Sequence, residues 1–390
     1  MLVVFYAILF ADGGIIMSYI LKHKDTELMC FDLVKDIDGV RAVILSMDEK
    51  QKSLLPLDME QNEKSLVRWL KNRTIPQNRA YVSNFLAKLG LNEKDTIGIL
   101  DLCHGLSLND CYWVVPDGYK ASFDEKNLYD NHISRTLAEI AFTGYGSYNK
   151  SSLRSSPEFT TNGMLAKAWR RIGGEITLYK SGTEGFANSG NEPYSEFYAF
   201  QIAETMGLRA IPYGLSQWKG KLCSTCRLFT SKEISFVAAG RIVREGGITA
   251  VMDYYKSLSG NYYNDLLNML LFDAIVFNED RHFGNFGLLV NANNNTIIDT
   301  APVFDNGLSL FCYAMQNDLE DIEQYAKTRR PSVYDDFVEF SKKFITSEQK
   351  QMLRKLIGFR FKKHSRYNLA PDRLKAIEAI VQIRVRELLG

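Results

Sequence analysis

The sequence predicts an α+β chain of two lobes, a small β-rich lobe followed by a larger helical one, preceded by a mixed α/β subdomain. Three observations carry this. The chain has 390 residues, 46% hydrophobic and 24% charged, an ordinary globular composition with room for two to three domains at ~150 residues each. Between residues 156 and 230, short apolar runs alternate with turn residues around a single helical segment. From Tyr262 onward the pattern is helical except for one pair of short strands.

The elements follow in order. Met1 to Ala11 is an apolar run that Asp12, Gly13 and Gly14 end, well short of the ~18 residues of a membrane span. It has no basic flank or small-residue cleavage site, so it does not read as a signal peptide. Met17 is the expected true start, with residues 1–16 an over-extended start. In the subdomain 17–155, Ile20–Lys22, Glu27–Asp32 and Val40–Met47 read as strands, the last two joined by the polar turn Asp36-Ile37-Asp38-Gly39. Helical patterns cover Ser65–Asn72, Arg79–Gly90 (with Gly90 as the C-terminal cap) and Lys94–His104. Tyr112–Val115 reads as a strand stopped by Pro116-Asp117-Gly118. The stretch 117–156 reads as loop, and Gly144–Ser156 as a linker.

Residues 156–230 form the expected small lobe. Its strands are Ala166–Trp169, Glu175–Lys180, Ala210–Ser216 and Lys221–Phe229, and its helix runs Ser195–Met206, opened by Pro193. Residues 231–390 form the helical lobe. Within it Gly287–Val290 and Thr296–Thr300 read as strands across Asn291–Asn295. Asp372–Leu389 is amphipathic, with Leu374, Ile377, Ile380, Val381 and Val385 on a core-facing stripe.

Forty-seven basic and 46 acidic side chains leave a net charge of +1, so no whole-molecule field draws the chain to nucleic acid or membrane. Six cysteines are too few for a disulfide scaffold and read as reduced and cytoplasmic. Cys223 and Cys226 form a lone CxxC, and Cys103, His104 and Cys111 lack metal-ligand spacing.

The strongest constellation is Phe277-Asn278-Glu279-Asp280-Arg281-His282-Phe283-Gly284-Asn285, followed by Phe304-Asp305-Asn306-Gly307. Asp280 and Asn285 have the D-x4-N separation of a kinase catalytic loop, in which the aspartate takes a hydroxyl proton and the asparagine holds a metal. Asp305, beyond the expected strand pair, is a second carboxylate suited to Mg2+ beside ATP phosphates. Lys180 ends an apolar strand and can reach phosphates, with Glu196 in the next helix as its carboxylate partner and Glu192 as second choice. Backbone N–H groups around Thr161, Asn162 and Gly163 can cradle phosphate, and Lys167 adds a charge. The competing reading makes the Asp, Asn and Gly residues ordinary turn formers and Lys180 an exposed strand end.

Together these segments resemble the HipA-like serine/threonine kinases of the protein-kinase-like superfamily. The matching text is Thr160–Lys167, Tyr179-Lys180, Glu192–Glu196, Asn278–Gly287 and Phe304-Asp305. The resemblance implies a bilobal protein-kinase-like fold and ATP- and Mg2+-dependent phosphoryl transfer to a protein serine or threonine. It assigns Asp280 as catalytic base, Asn285 and Asp305 as metal ligands, and Lys180 to ATP. Adenine is then bound along Cys226–Thr230, which includes Arg227 and Phe229. It also implies autophosphorylation at Thr160, or failing that Thr161, and a toxin-like role with an antitoxin-like protein partner. The phosphate loop departs from the family form, with Leu165 where glutamine is common.

Two alternatives use the same residues: a catalytically silent kinase-like scaffold, and a small-molecule phosphotransferase. Arg354, Lys355, Arg360, Lys362, Lys363 and Arg366 form a local basic cluster. It reads as a solvated helix face or as a phosphate or nucleic-acid patch. A protein substrate is expected, and direct nucleic-acid or membrane binding is not.

Overall fold

The computed structural model describes residues 8–9, 15–36, 39–146 and 155–390. Most of the expected over-extended start, residues 37–38 of the polar turn, and residues 147–154 of the expected linker lie outside the described residues. The chain divides into two compact units. One holds residues 1–176, 230–237 and 290–297, the other residues 177–229, 238–289 and 298–390.

The first unit is built on an antiparallel sheet of β1 (Ile8–Leu9), β2 (Ile15–His23), β3 (Thr26–Asp36), β4 (Gly39–Met47) and β5 (Tyr112–Pro116). β2, β3 and β4 are consecutive neighbours, and β1 and β5 both pair with β2. Tyr19, Leu21, Phe31 and Leu33 alternate along β2 and β3 into one core face, as the two-residue period of a strand requires. Against them pack Leu66, Trp69 and Leu70 of α1 (Glu63–Lys71). Asn62 starts this helix by accepting a hydrogen bond from the Ser65 N–H.

Helices α2 (Val82–Lys88), α3 (Thr96–Cys103), α4 (Phe123–Lys126) and α5 (Arg135–Thr143) complete the unit with β6 (Lys167–Ile172). Phe85 and Leu86 of α2, Leu137 and Ile140 of α5, and Phe159 form a second core. Gly90, at φ 75°, follows α2 as expected. The Leu91 and Gly90 N–H groups donate back to Leu86 and Ala87 at 3.0 Å each, the hydrogen-bond pair of a Schellman ending.

In the first unit two expectations need correction. The helix expected from Arg79 begins only at Val82, because Tyr81 is left-handed at φ 62°. The stretch read as loop contains α4, started by a Ser122–Glu125 capping box, and α5, capped by Ser134.

In the second unit, β7 (Glu175–Ser181) contributes its residues from Thr177 on, and β9 (Lys221–Arg227) lies between it and β8 (Gly214–Trp218), all antiparallel. The strand expected over Ala210–Ser216 starts only at Gly214, and Ala210 makes an isolated parallel bridge to Val303. Helix α6 (Glu192–Met206) carries Pro193 in its first turn and ends at left-handed Gly207. A strand not foreseen, β10 (Ile234–Ala238), belongs to the first unit up to Val237, and the second unit resumes with α7 (Ala239–Ile242), α8 (Gly247–Ser257) and α9 (Tyr262–Val276). The expected strand pair is β11 (Gly287–Asn291) and β12 (Ile297–Thr300).

Five helices finish the chain: α10 (Gln316–Glu320), α11 (Ile322–Lys327), α12 (Phe337–Lys342), α13 (Ser347–Arg354) and α14 (Pro371–Leu389). The expected stripe of α14 is buried throughout. The basic cluster does not lie on a helix face: α13 ends at Arg354, and 355–370 is turn and irregular chain. That segment is tied down by Gln201 to Lys362, Glu378 to Phe361 and Gln382 to Gly358. All six cysteines are free thiols.

Burial in the first unit has a measurable consequence. Burial lowers the pKa of both His23, packed on Tyr112, and His104, packed on Tyr119, from 6.5 to about 4. The unfolded chain therefore takes up these protons near pH 6.5, whereas the folded state holds both imidazoles neutral. Stability is complete above pH 6.5 and falls toward pH 4, by at most about 1.4 kcal/mol per pH unit per histidine. Urea unfolding across this range should show that loss, and a His23→Gln, His104→Gln variant should flatten it.

Candidate active site

The site grows from one charged residue in an apolar helix. Helix α9 buries Leu266, Leu267, Leu270, Leu271 and Phe272, and among them the fully buried carboxylate of Asp273. A lone carboxylate cannot stay ionised there without a counter-charge. Arg281, eight residues on and 1% exposed, donates from Nε to Asp273 Oδ2 at 3.0 Å and from Nη2 to Oδ1 at 3.0 Å.

Between the two, Phe277 is left-handed at φ 53° and ends the helix. Asn278 donates from Nδ2 to Asp273 Oδ1 at 3.2 Å and accepts the Asp280 N–H at 3.1 Å. The loop closes on itself when Asn285 Nδ2 donates to the Asp280 carbonyl at 3.1 Å. The remaining Arg281 donors fasten two segments together. Nη1 reaches the Asn285 carbonyl at 3.1 Å and the Phe304 carbonyl, and Nη2 reaches Asn306 Oδ1 at 2.5 Å. One guanidinium thus fixes the loop of Asp280 and Asn285 against the segment that carries Asp305.

Asp305 is itself left-handed, at φ 54°, a conformation aspartate tolerates better than most residues. Its N–H donates to the Tyr213 hydroxyl at 3.1 Å. Lys180, near the end of β7, donates from Nζ to Glu196 Oε1 at 2.9 Å and to Asp305 Oδ1. Glu196 Oε2 accepts the Asn306 N–H at 2.7 Å, so the α6 carboxylate holds both the lysine and the Asp305 turn. Glu192, the second choice, accepts instead from the Thr183 N–H at 3.1 Å and from the Tyr313 hydroxyl at 2.7 Å. Lys180 is buried and paired rather than an exposed strand end.

The electrostatics follow from this burial. Desolvation opposes the Lys180 ammonium, but Asp305 and Glu196 outweigh it and hold its pKa above the lysine range. Desolvation raises Glu196, with Lys180 opposing. Asp280 is raised by burial, and the like charge of Asp305 adds to it.

Phe229 packs on Phe304 at a ring distance of 5.4 Å, one residue from Asp305. Arg227 is exposed at the end of β9, in register with Thr177. Thr161, Asn162, Gly163 and Lys167 belong to the first unit. Arg79 organises their loop through an ion pair with Glu158 at 2.9 Å, both side chains 0% exposed, and a hydrogen bond to the Lys167 carbonyl at 2.6 Å. Lys167 Nζ donates to the Asn162 carbonyl at 2.9 Å. Gly163 sits at φ 93°, where an added Cβ would lie 2.2 Å from Lys167 Nζ.

Sequence reasoning missed Asp273, Arg281, Tyr213 and Arg79. Asp273 did leave a signal, as the one charge within the apolar run Leu266–Val276. Asp273→Ala leaves Arg281 buried without its counter-charge, so a stability loss of about 3–5 kcal/mol is expected in denaturant unfolding.

Comparison with known proteins agrees with the resemblance read from the sequence. The serine/threonine-protein kinase CtkA of Helicobacter pylori J99 is 26% identical over 135 residues, 31% of this chain and 41% of that protein's length. Among solved structures, HipA of Shewanella oneidensis MR-1, solved with HipB and operator DNA, aligns over 95% of this chain and 99% of its own at 12% identity, with a TM-score of 0.54. The H. pylori CtkA structure aligns over 57% of this chain and 91% of its own at 16% identity, with a TM-score of 0.46. No family model matches. Among the described residues no helix is long and apolar enough to cross a membrane. The chain has a HipA-like fold of mixed α and β structure with antiparallel sheets, and is similar in sequence to a serine/threonine-protein kinase over part of its length.

Proposed function

We propose that the chain transfers the γ-phosphoryl group of ATP, with Mg2+, to a serine or threonine hydroxyl of a protein. The observation that carries this is the junction of Lys180, Glu196 and Asp305 with the Asp280–Asn285 loop through Arg281. In this reading residues 156–230 serve as the ATP-binding lobe and 231–390 as the catalytic lobe.

The donor set fits a divalent cation. Four buried or half-buried carboxylates, Glu196, Asp273, Asp280 and Asp305, face two cations, Lys180 and Arg281. Carboxylates thus outnumber these two cations, with His282 also beside Asp280. Asn285 has committed its Nδ2 to the Asp280 carbonyl, which leaves the carboxamide oxygen as its donor to a metal. Asp305 and Asn285 would hold Mg2+ through hard oxygen ligands, and the bound metal would neutralise charge on the transferring phosphates. Asp280 accepts the proton of the attacking hydroxyl as its oxygen bonds to phosphorus and the bond to the departing diphosphate breaks. Lys180, oriented by Glu196, pairs with the ATP phosphates. Phe229, Arg227 and the backbone of Cys226–Thr230 would receive adenine, and Thr161, Asn162, Gly163 and Lys167 would form the phosphate loop.

The test uses labelled ATP, Mg2+ and a lysate depleted of kinase activity. Wild type should label protein serine or threonine, Asp280→Ala and Asp305→Ala should each lose about 100-fold or more, and chelation should abolish transfer. Equal labelling by all three proteins would sink the mechanism. Nucleotide binding without transfer to any acceptor would leave the silent scaffold. That reading draws support from the Lys167 ammonium being held by the Asn162 carbonyl.

Regulation by self-modification is part of the proposal. Thr160 is buried and its hydroxyl donates to the Leu106 carbonyl at 2.8 Å, whereas the half-buried Thr161 donates to the Pro157 carbonyl at 2.7 Å. Thr161 is the easier of the two to expose, which reverses the preference drawn from sequence. Peptide mapping after ATP exposure should find phosphate on Thr161 ahead of Thr160, with weakened nucleotide binding. Phosphate elsewhere and never on either threonine would remove this loop as a switch.

A further inference from the structure

The two peptide groups that flank the Asp305 Cα are each held by residues distant in sequence. The Phe304–Asp305 peptide has its carbonyl on Arg281 Nη1 and its N–H on the Tyr213 hydroxyl, the latter at 3.1 Å. A peptide group is planar, with C=O and N–H on opposite edges, so two partners fix its tilt where one would leave a hinge. On the other side, the Asn306 N–H is on Glu196 Oε2 at 2.7 Å, and the Asn306 side-chain oxygen is on Arg281. Two fixed planes set the backbone dihedrals of the residue between them, and with these the direction of its Cα–Cβ bond.

The conformation set in this way needs support. Asp305 has φ 54°, where the Cβ of an L-residue crowds the following carbonyl oxygen. Glycine would take this angle without strain, but it carries no carboxylate. Held there, the aspartate points Oδ1 at Lys180 Nζ and still keeps 30% of its side chain accessible. A right-handed or extended backbone at 305 would aim the carboxylate elsewhere.

The path of the chain delivers Tyr213 to this peptide. The Val303 carbonyl accepts from the Ile211 N–H, and the Val303 N–H donates to the Arg209 carbonyl, at 2.9 Å each. Ala210 and Val303 thereby form a parallel bridge, so the two segments advance together and Tyr213 arrives beside Asp305. Arg209 fastens the start of the same pairing, with Nη2 donating to Thr300 Oγ1 at 2.8 Å. Tyr213 is buried. Its phenol oxygen can accept from the backbone while its proton goes to a second partner, and the Cys226 sulfur lies beside it. Phenylalanine would fill the same space without the bond to Asp305.

We infer that Tyr213 is a positioning residue for the metal carboxylate: its hydroxyl, by taking the Asp305 N–H, holds the left-handed turn that aims Asp305 at the cation. The inference rests on the assignment of Asp305 to Mg2+ in the function proposed above. Without the hydroxyl, the Phe304–Asp305 peptide is held at one edge only and the carboxylate samples other directions. The metal then has to select the competent one, and its apparent affinity falls by the fraction of molecules that present it. The loss therefore appears in metal affinity, and saturating metal recovers the rate.

The experiment measures Mn2+ binding to the full chain in the presence of ADP, by electron paramagnetic resonance. It compares wild type with Tyr213→Phe, Tyr198→Phe and Asp305→Asn. Tyr198 is buried in the same unit and its hydroxyl donates to Asn368 Oδ1 at 3.0 Å, so Tyr198→Phe reports the general cost of losing a tyrosine hydroxyl. Tyr213→Phe should bind Mn2+ about tenfold more weakly, the equivalent of roughly one hydrogen bond. Tyr198→Phe should match wild type, and Asp305→Asn should lose more than Tyr213→Phe. In the labelled-ATP assay, Tyr213→Phe should need about tenfold more Mg2+ for half-maximal rate and return to within about threefold of wild type at saturation. Wild-type Mn2+ affinity in Tyr213→Phe, an equal loss in Tyr198→Phe, or a rate that saturating Mg2+ does not restore would each overturn the inference and leave the transferase standing. A wild type that binds no Mn2+, or Asp305→Asn binding it as well as wild type, would overturn the metal assignment and the inference together. If wild type transfers no phosphate, the Mn2+ comparison alone decides the inference, so failure of the proposed function is read separately.

Discussion

The buried Asp273–Arg281 pair is the constraint on which the rest of the candidate site depends. A helix as apolar as α9 has no intrinsic use for a carboxylate, and the pair earns little stability on its own, because desolvation offsets most of the attraction. What it supplies is geometry. The guanidinium has five N–H donors in a rigid plane, and here they are shared among Asp273, the Asn285 carbonyl, the Phe304 carbonyl and Asn306. Two loops that are 19 residues apart in sequence, between Asn285 and Phe304, are thereby fixed to one rigid helix. Lysine at 281 would carry the same charge but could not reach four partners in one plane.

A second layer of control is electrostatic. Lys180 has two carboxylate partners, and they differ. Glu196 is fully buried, and its other oxygen is bound to the Asn306 N–H, so it is a fixed partner. Asp305 is the more exposed of the two, with a side chain 30% accessible against 0% for Glu196. An incoming cation would therefore compete with Lys180 for Asp305 and leave the Lys180–Glu196 bond in place. Tyr213 holds the Asp305 N–H and Glu196 holds the Asn306 N–H, so that exchange of partners need not move the turn.

The parts of this protein legible in sequence were those that depend on local pattern. The stripe of α14, the Gly90 helix ending and the strand pair across Asn291–Asn295 each rest on periodicity or turn chemistry within a few residues. The Lys180–Glu196 pairing was also the first choice from sequence, although the helix starts earlier than expected and the glutamate in its first turn is Glu192, the second choice. What failed was tertiary. Arg79 looked like the start of a helix, but its side chain is drawn into a buried pair with Glu158, 79 residues later, and the backbone turns at Tyr81 instead. The strand expected from Ala210 was shortened for a similar reason, because its first residues bridge to Val303 rather than join the sheet. No short window along the chain contains both partners of those contacts.

The same reasoning explains how the loop 158–167 can depart from a familiar sequence form and still be ordered. Its shape does not come from its own residues alone. Arg79 binds the Glu158 carboxylate, the Glu158 carbonyl and the Lys167 carbonyl, and so clamps both ends of the loop. The Ala80 N–H donates to the Met164 carbonyl at 2.8 Å in its middle, and Trp169 accepts no side-chain freedom, with its N–H on Glu158 Oε1 and its indole N–H on Thr161. Leu165 lies between these fixed points, so a change of side chain there leaves the clamp intact. Gly163 is different, because Lys167 Nζ occupies the space where a side chain would begin. The amino-terminal subdomain is thus part of what shapes this loop, through Arg79 and Ala80, rather than an independent attachment to it.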